Sequence, residues 1–443
     1  MSDKQSMIAK IAAIAIIILA FGSYVYVNRG SVFAPESQAV GFVPKFRPIT
    51  YDYNSQAGFY SGGHGYFYFY ARNSISYRNS SAEAVWNEAH DLSNPLAFGT
   101  GNYLVLSETR GNAVRVYSPE GLMYVKYFEN TVLHFQINES GFCTVRLQDG
   151  SGYRTIVYGL DGEPIYTRVH ATPNVFPMAS TVSANGRELA IALLDVNGVG
   201  IQTHLLLARI LQRPSIADSD GEWGGGYRWD IQIIASLRYN GNNDLLAASD
   251  AKITHYRITG DGRSGESATV EFNNYVNGLE YMGDNGLILA LGRGIPSLDA
   301  VPENTVQFYD ESLSLQGSFA VPRAISYLHG NSQGAIVGAG QTYYGFNTRG
   351  SLQWQYNAPG ELKQLIFLNG TDTVLEVGFT EARILRRERL AGSQNEYPEP
   401  PMPTNTESPA EHPETAEPIE PAEPITVPEP AEVIEPEEGL DAD

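Results

Sequence analysis

The pentapeptide GNSQG at residues 330–334 matches the G-x-S-x-G pattern with which many hydrolases present a nucleophilic serine. That chemistry needs a strained turn from a strand into a helix, which lifts the serine above an α/β sheet. Here the pentapeptide joins AISYLH to AIVGAG, and both stretches have the composition of strands. We therefore interpret the pentapeptide as a glycine and asparagine turn rather than as a nucleophile.

Metal-binding patterns are incomplete in this sequence. Asp218, Ser219, Asp220 and Gly221 have the oxygen spacing that begins a calcium loop, but the third ligand and the closing glutamate are missing. The histidines form no i,i+4 pair or ligand cluster; they are His64, His90, His134, His170, His204, His255, His329 and His412. We predict no metal site, no cofactor and no catalytic residue from these patterns.

The single cysteine, Cys143, excludes an intrachain disulfide and any multi-cysteine metal site. It lies in the alternating stretch GFCTVRL, which predicts a small buried side chain. An aromatic run, GYFYFYARN at residues 65–73, could stack on sugars, but a strand of a buried sheet needs the same composition. We favour the core for this run.

A candidate contact surface lies in the segment QRPSIADSDGEWGGGYRWD at residues 212–230. It is the longest insertion between predicted strands, and it carries Trp223, Tyr227 and Trp229 on a glycine-rich backbone. Aromatic side chains on loops of a rigid scaffold often bind partners. We predict a partner-contact loop here, with core packing of one or two of the rings as the alternative.

A repeated phrase indicates what holds these residues in place. VRVYSPEGLMYVKYF at residues 114–128 recurs as TIVYGLDGEPIYTRV at residues 155–169, with glycine four residues after the tyrosine in both. Gly350 has the same place in a third copy, and Leu313 replaces the glycine in a fourth. A glycine at a fixed offset supplies the positive φ of a tight hairpin turn, so we predict that each phrase forms a hairpin.

Two further strand-like runs precede the hairpins, which gives four strands to each repeat. The copies start near residues 75, 114, 155, 204, 253, 306, 343 and 383. Four strands at a period of about 40–50 residues predict an all-β fold, a β-propeller. We predict eight four-stranded blades within residues 45–390, or seven if the weak first copy merges with the last. The last copy lacks its outer strand, which residues 46–54 could supply.

Both ends of the chain differ from the repeats. Residues 8–27 are apolar apart from Lys10 and predict a transmembrane signal anchor, with residues 1–7 cytoplasmic and residues 28–44 as a linker. Small residues before Ser23 leave cleavage after Gly22 open. Lys4 and Lys10 precede the apolar run, so we expect a single-pass plasma-membrane protein whose repeats are extracellular. Residues 391–443, rich in proline and glutamate, predict a disordered acidic tail.

Charge is concentrated in that tail. Residues 396–443 contain 13 Glu, 2 Asp and neither Lys nor Arg, and so carry −15 of the net charge of −21. The rest of the chain carries about −6, and its only strongly basic stretch is residues 383–389. Because nucleic-acid affinity depends on phosphate neutralisation, we expect no nucleic-acid partner.

The tryptophans that follow the turns, Trp86 and Trp354, together with the aromatic-x3-Gly turns, resemble quinoprotein-type and WD-repeat propellers. The layout of a short N-terminus, one span and a propeller is similar to an uncharacterised family of membrane-anchored propellers from Firmicutes. That resemblance implies a fold and a topology but no chemistry. The adjacent cysteine pair of many quinone-dependent relatives is impossible here because the chain has one cysteine.

Two functional hypotheses follow. The first is a membrane-anchored extracytoplasmic propeller that binds or scaffolds an envelope protein or polymer without catalysis. The second is a propeller enzyme with its site in the central funnel, either a quinone- or metal-dependent oxidoreductase or a polysaccharide-active hydrolase. An enzyme would converge acidic, histidine or arginine side chains from several blades at one end of the channel.

Overall fold

The alternating apolar runs form antiparallel strands. The computed structural model of the protein describes residues 40–210, 223–230, 232–258, 264–272, 275–292 and 304–389. The predicted residues 1–7, the span at 8–27, the acidic tail at 391–443 and the Asp218–Gly221 stretch lie outside these ranges. Two strands precede the first sheet, β1 (Val40–Pro44) and β2 (Ile49–Thr50).

Within the described residues the sheets number eight, and each has four main strands in a meander. Blade 1 consists of β3 (Gly58–Ser61), β4 (Phe67–Ala71), β5 (Ser74–Arg78) and β6 (Ala84–Ala89), and blade 2 consists of β7 (Pro95–Thr100), β8 (Tyr103–Glu108), β9 (Ala113–Ser118) and β10 (Gly121–Tyr127). Blade 3 consists of β11 (Val132–Ile137), β12 (Cys143–Asp149), β13 (Gly152–Tyr158) and β14 (Pro164–His170), and blade 4 consists of β15 (Val175–Val182), β16 (Glu188–Asp195), β17 (Gln202–Arg209) and β18 (Trp223–Asp230).

Blades 5 to 7 follow the same plan, and blade 8 takes three strands from this part of the chain. Blade 5 consists of β19 (Ile234–Asn240), β20 (Asp244–Ser249), β21 (Lys252–Ile258) and β22 (Ser264–Glu271), and blade 6 consists of β23 (Tyr275–Tyr281), β24 (Leu287–Gly292), β25 (Asn304–Tyr309) and β26 (Leu315–Val321). Blade 7 consists of β27 (Tyr327–Asn331), β28 (Gly334–Ala339), β29 (Thr342–Phe346) and β30 (Leu352–Asn357). The three strands of blade 8 are β31 (Gln364–Asn369), β32 (Thr373–Val377) and β33 (Glu381–Arg389).

The only helices of the described ranges are two 3-10 turns, Tyr53–Ser55 and Gly283–Asn285. Among these residues, none forms a helix with the length and apolar character needed to cross a bilayer. The predicted span at residues 8–27 is outside the ranges searched and stays a prediction.

The eight-blade prediction is confirmed. Every predicted copy of the repeated phrase coincides with the third strand of a blade, from β5 in blade 1 to β33 in blade 8. The weak first copy forms a complete sheet, β3 to β6, so the seven-blade alternative is wrong.

Blade 8 closes the ring with a strand from the other end of the repeats. β1 pairs antiparallel with β33 from Val40 opposite Arg389 to Pro44 opposite Leu385. The sequence predicted that residues 46–54 form this outer strand and that the propeller starts at residue 45. Both predictions were wrong, because most of the outer strand is formed by Val40–Pro44. Only β2 within the predicted range pairs with β33, at Ala382 and Glu381. The nine-residue β33 is long enough to hold β1 and β2 one after the other.

The core is divided among the blade interfaces. Eight clusters of buried apolar residues occur in the described part of the chain, and each combines residues of two neighbouring blades. The aromatic run shows why: Phe67 packs towards blade 8 and Tyr68 towards blade 2. Successive side chains of a strand point to opposite faces, so one strand supplies two interfaces. The core prediction for this run is confirmed.

Candidate functional site

The first strand of each blade lines the central channel. First strands of successive blades contact one another, as β15 with β19 and β23 with β27 do. One edge of each first strand pairs with the second strand, and its other edge is free. Free backbone groups on such an edge need partners.

Side chains from the preceding blade supply some of those partners. The Tyr60 hydroxyl donates to the Ala97 carbonyl at 2.9 Å, and the Tyr327 hydroxyl donates to the Leu365 carbonyl at 2.9 Å. The Asn138 amide donates to the carbonyls of Val182 and Ser183, both at 3.0 Å. Many polar groups near the channel therefore join blades.

One charged cluster brings three blades together. Glu139 lies in the turn between β11 and β12 of blade 3 and forms an ion pair with Arg238 on β19 of blade 5. The Arg238 guanidinium lies 4.9 Å from the ring centre of Tyr281 in blade 6. This ion pair therefore connects blades 3 and 5, which are not neighbours.

Glu280, on β23 of blade 6, adds a second carboxyl to this cluster. Burial raises the pKa of Glu280 to about 7, and Arg238 opposes the shift. Its charge acts on side chains of other blades: after burial, Glu280 is the next cause that raises the pKa of Tyr60 in blade 1 to about 12. Burial raises the pKa of Tyr327 in blade 7 and the hydrogen bond to Leu365 opposes that shift, while Glu280 raises the pKa further. The Glu280 carboxyl therefore faces the channel.

We call Glu139, Arg238 and Glu280 the channel cluster. Its chemistry is that of one carboxyl that exchanges a proton near neutral pH beside a fixed guanidinium. Hydrolysis of a glycosidic bond normally uses two carboxyl groups. Glu139 is the other carboxyl here, and it forms an ion pair with Arg238.

The sequence analysis missed the channel cluster. Its signal was the pair of triplets Leu237-Arg238-Tyr239 and Leu279-Glu280-Tyr281, which occupy corresponding places on the first strands of blades 5 and 6. A single charge between two apolar residues of a buried strand could have identified the channel.

The predicted contact residues lie on a strand rather than in a loop. All three belong to β18, the outer strand of blade 4. Trp229 is 4% exposed, and its indole N–H donates to the Tyr256 hydroxyl at 2.8 Å. Tyr227 packs against the same core, with its ring 4.3 Å from that of Tyr256. The loop placement was wrong, because Gly225 and Gly226 pair with β17 and the strand continues to Trp223.

The alternative prediction, core packing of one or two of the rings, therefore holds for Trp229 and partly for Tyr227. The side chain of Trp223 lies outside what the structure describes. A partner contact through this segment stays a prediction for Trp223.

The other sequence motifs have structural roles. Residues 330–334 span the end of β27, a tight turn and the start of β28, as predicted. Cys143 is fully buried, and burial raises the pKa of its thiol to about 12. In the described ranges, no three His, Cys, Asp or Glu side chains are close enough together to hold a metal ion.

The propeller has two different ends. In an antiparallel meander, turns from strand 2 to strand 3 and connections between blades emerge at one end, which we call the crossover end. The remaining turns form the hairpin end. Nine of the fifteen exposed large apolar side chains of the described residues lie at the crossover end, and we call them the crossover rim: Tyr53, Leu96, Tyr127, Leu133, Val169, Val196, Val199, Tyr275 and Phe379.

The chain enters and leaves the ring at the hairpin end. β33 is a third strand, so it runs from the crossover end towards the hairpin end and finishes there at Arg389. β1 is antiparallel to it and begins opposite Arg389, at Val40. Both chain connections are therefore opposite the crossover rim.

This geometry defines a class: a β-propeller of eight four-stranded blades closed by strands from both ends of the repeats. The chain belongs to the family of unknown function DUF5711, whose sequence pattern it matches over residues 50–385. None of the curated proteins compared matches the chain.

Solved propellers of similar fold include BamB from Moraxella catarrhalis, at 15% identity and a TM-score of 0.44 over 78% of this chain and 100% of that one. BBS1N in complex with ARL6DN has 14% identity and a TM-score of 0.38, over 65% and 88% of the two chains. Hsv2 from Kluyveromyces lactis has 9% identity and a TM-score of 0.42, over 67% and 96%. Likenesses this distant carry no argument about function.

Proposed function

We propose that this protein is a membrane-anchored extracytoplasmic binding module that presents its crossover rim to a protein or polymer of the cell envelope. The observation that supports the proposal most directly is the position of the rim, at the end of the ring opposite both chain connections. A module held by its hairpin end leaves its crossover end free for a partner.

The anchor in this proposal rests on the sequence. Residues 8–27 are long and apolar enough to span hydrocarbon. Twelve residues, 28–39, separate them from β1, and an extended chain of that length reaches about 40 Å. The hairpin end would then face the membrane, and the crossover rim would face away from it.

The side chains of the rim suit recognition. Tyr127, the last residue of β10, is 69% exposed, and Tyr275, the first residue of β23, is 61% exposed. Both side chains are therefore held by the backbone of a sheet. Tyr53 stacks on Phe379 at 6.0 Å, and Lys363 lies over both rings. Exposed tyrosines on a rigid scaffold bury large areas on binding at a small cost in conformational entropy.

The test is site-specific photo-crosslinking of the full-length protein in its native host. A photoreactive residue replaces Tyr127 or Tyr275 on the crossover rim; matched controls replace Leu122 or Leu315, exposed at the hairpin end. We expect a discrete adduct from the two rim positions, lost on adding Tyr53→Ser and Phe379→Ser. Equal adducts from both ends, or none from the rim, would contradict the proposal.

The channel cluster favours a second candidate, an enzyme with its site in the central funnel. Three charged groups from three blades meet there, and Glu280 has a pKa suited to proton transfer. A glutamic acid that exchanges protons suits a polysaccharide hydrolase better than it suits an oxidoreductase. Release of reducing sugar from isolated envelope polysaccharide by the wild-type protein, but not by Glu280→Gln, would support this candidate.

A further inference from the structure

A row of cationic and polar side chains crosses blade 3. His134, Arg146, Thr155 and Arg168 stand directly opposite one another on the consecutive strands β11 to β14. Residues paired in this way project from the same face of a sheet. The Arg146 guanidinium donates to the Pro177 carbonyl on β15, so this face is turned towards blade 4.

His170 brings the row together in space. Its Nε2 lies 3.1 Å from the Thr155 hydroxyl. Burial lowers the pKa of His170 to about 4, and the charges of Arg168 and Arg146 contribute further. Burial followed by the Arg146 charge also lowers the pKa of His134 to about 4. Two arginines and two neutral imidazoles therefore share one interface.

Arg146 has no acidic partner in the described part of the chain. Its hydrogen-bond partner is the Pro177 carbonyl, and no carboxylate of the described residues lies within ion-pair distance. Burial lowers the pKa of Arg146 to about 10, and the one charge effect that opposes this comes from Tyr153. Arg154 on the same blade differs, because its guanidinium pairs with Asp149 at 2.7 Å. A partly buried cation without a counter-charge is costly, and an anion would remove that cost.

A second observation lies on the same face. Thr144 is two residues before Arg146 on β12, and its hydroxyl is buried without a hydrogen-bond partner. Arg146 and His134 are only partly buried. A hydroxyl donor beside a guanidinium fork suits a planar or tetrahedral oxyanion.

We propose that Arg146 is the centre of an oxyanion site between blades 3 and 4, which takes a carboxylate or phosphate group. The guanidinium binds two of the ligand's oxygens, and the hydroxyls of Thr144 and Thr155 donate to it. His134 and His170 become better donors because a bound anion favours their protonated forms. The site is independent of the proposed function and of the crossover rim.

The experiment measures the melting temperature of the full-length protein against phosphate concentration at constant ionic strength, with chloride as the balancing anion. A ligand that binds the folded state raises the melting temperature with the logarithm of its concentration. We expect this rise for the wild type and for the matched control Arg154→Met. For Arg146→Met we expect phosphate affinity to fall by at least about tenfold, since the charge-assisted bonds are lost.

Two further measurements make the outcome decisive. If Arg146→Met fails to fold, Thr144→Val replaces it, because it removes one donor while keeping shape and should weaken phosphate binding severalfold. NMR titration of His170 in the wild type should show its pKa rise on adding phosphate. Acetate distinguishes a carboxylate from a phosphate preference, and a soluble polyphosphate distinguishes polymer-borne from free phosphate. No phosphate effect on the wild type, or equal effects in Arg146→Met and Arg154→Met, would overturn the proposal.

Discussion

At the scale of single residues, Arg238 and Glu280 show how one strand position can carry different chemistry in adjacent blades. Both stand between an inward leucine and a tyrosine, and both face the channel. The Arg238 guanidinium pairs with Glu139 and lies over the ring of Tyr281. Burial raises the pKa of Glu280, so its carboxyl resists ionisation although Arg238 opposes the shift.

This environment predicts a pH-dependent effect of Glu280→Gln. Burial raises the pKa of Glu280 to about 7, above its value in the unfolded chain. Below about pH 4.5 both states hold the proton and nothing is lost. As pH rises towards 7, the Glu280 carboxyl ionises first in the unfolded state, so the free energy of unfolding falls. The fall is about 3 kcal/mol at most, and about half that once water in the channel screens the charge. Glu280→Gln should remove this loss.

Urea unfolding at pH 4.5 and pH 8 measures the effect. The variant should match the wild type at pH 4.5 and exceed its free energy of unfolding by about 1–2 kcal/mol at pH 8. Glu139→Gln is the control of opposite sign, because it removes the ion pair with Arg238 and should cost at most about 1 kcal/mol at pH 8. A Glu280→Gln effect that is equal at both pH values would contradict the argument.

At the scale of elements, the hairpin turns explain the spacing of the repeats. In four turns the carbonyl of the first residue accepts from the amide N–H three positions on. The residue that donates has positive φ in each: Ala82 at 64°, Gly162 at 75°, Leu313 at 62° and Gly350 at 76°. Leu313 shows that the backbone conformation is kept even where glycine is lost, since its side chain is buried in the core. Gly121 differs: a two-residue turn precedes it, and it begins β10 with φ of 124°.

Asn138 is a turn residue that also joins two blades. Its Oδ1 accepts from the amides of Ser140 and Phe142, while its Nδ2 donates to two carbonyls of blade 4. Asn138→Asp keeps the acceptor and replaces the donor with an oxygen that faces those carbonyls. We expect a loss of about 2–3 kcal/mol in the free energy of unfolding, measured by urea titration.

Asn347→Asp is the matched control in blade 7. Its Oδ1 accepts from the amides of Arg349 and Ser351, and Asp310 makes the corresponding pair of bonds in blade 6. A carboxylate is therefore already compatible with this turn, and the substitution should change stability by less than about 0.5 kcal/mol. Equal losses at Asn138 and Asn347 would show that the contact with blade 4 contributes little.

At the scale of the whole molecule, the ring depends on one strand that comes from the far end of the repeats. β1 completes blade 8, and Phe42 packs edge-on against Trp354 at 4.9 Å and Tyr356 at 5.3 Å in blade 7. A ring without this strand leaves the outer edge of β33 unpaired. Closure therefore begins at Val40.

A chain that begins at Lys45 should be less stable than one that begins at Val40. It loses the five pairs of β1 with β33 and the Phe42 contacts. Since truncating a fully buried phenylalanine costs about 3–5 kcal/mol and Phe42 is partly buried, we expect a loss of about 2–4 kcal/mol. The urea midpoint, followed by tryptophan fluorescence, measures it.

Phe42→Ala in the longer chain separates the ring contacts from the strand pairing, and it should account for roughly half of the loss. Identical urea midpoints for chains starting at Lys45 and at Val40 would show that β33 holds the ring closed without β1.

The sequence alone determined the plan of the blades and predicted eight of them, with seven as the alternative that the structure excluded. Alternation with period two, glycine at a fixed offset and a repeat of about 40–50 residues are local properties, and each third strand lies where the pattern placed it. Local alternation also predicted that Cys143 would be buried and that residues 330–334 would form a turn.

Tertiary structure decided everything that depends on which blades meet. Residues 40–44 and 385–389 pair although they are more than 300 residues apart, and nothing local distinguishes β1 from a linker. The glycine-rich stretch that suggested a loop belongs to a strand, because β17 pairs with Gly225, Gly226 and the residues that flank the stretch. The channel cluster and the blade 3 row depend on contacts between blades or strands. Sequence spacing does not encode those distances, because ring closure brings distant segments of the chain together.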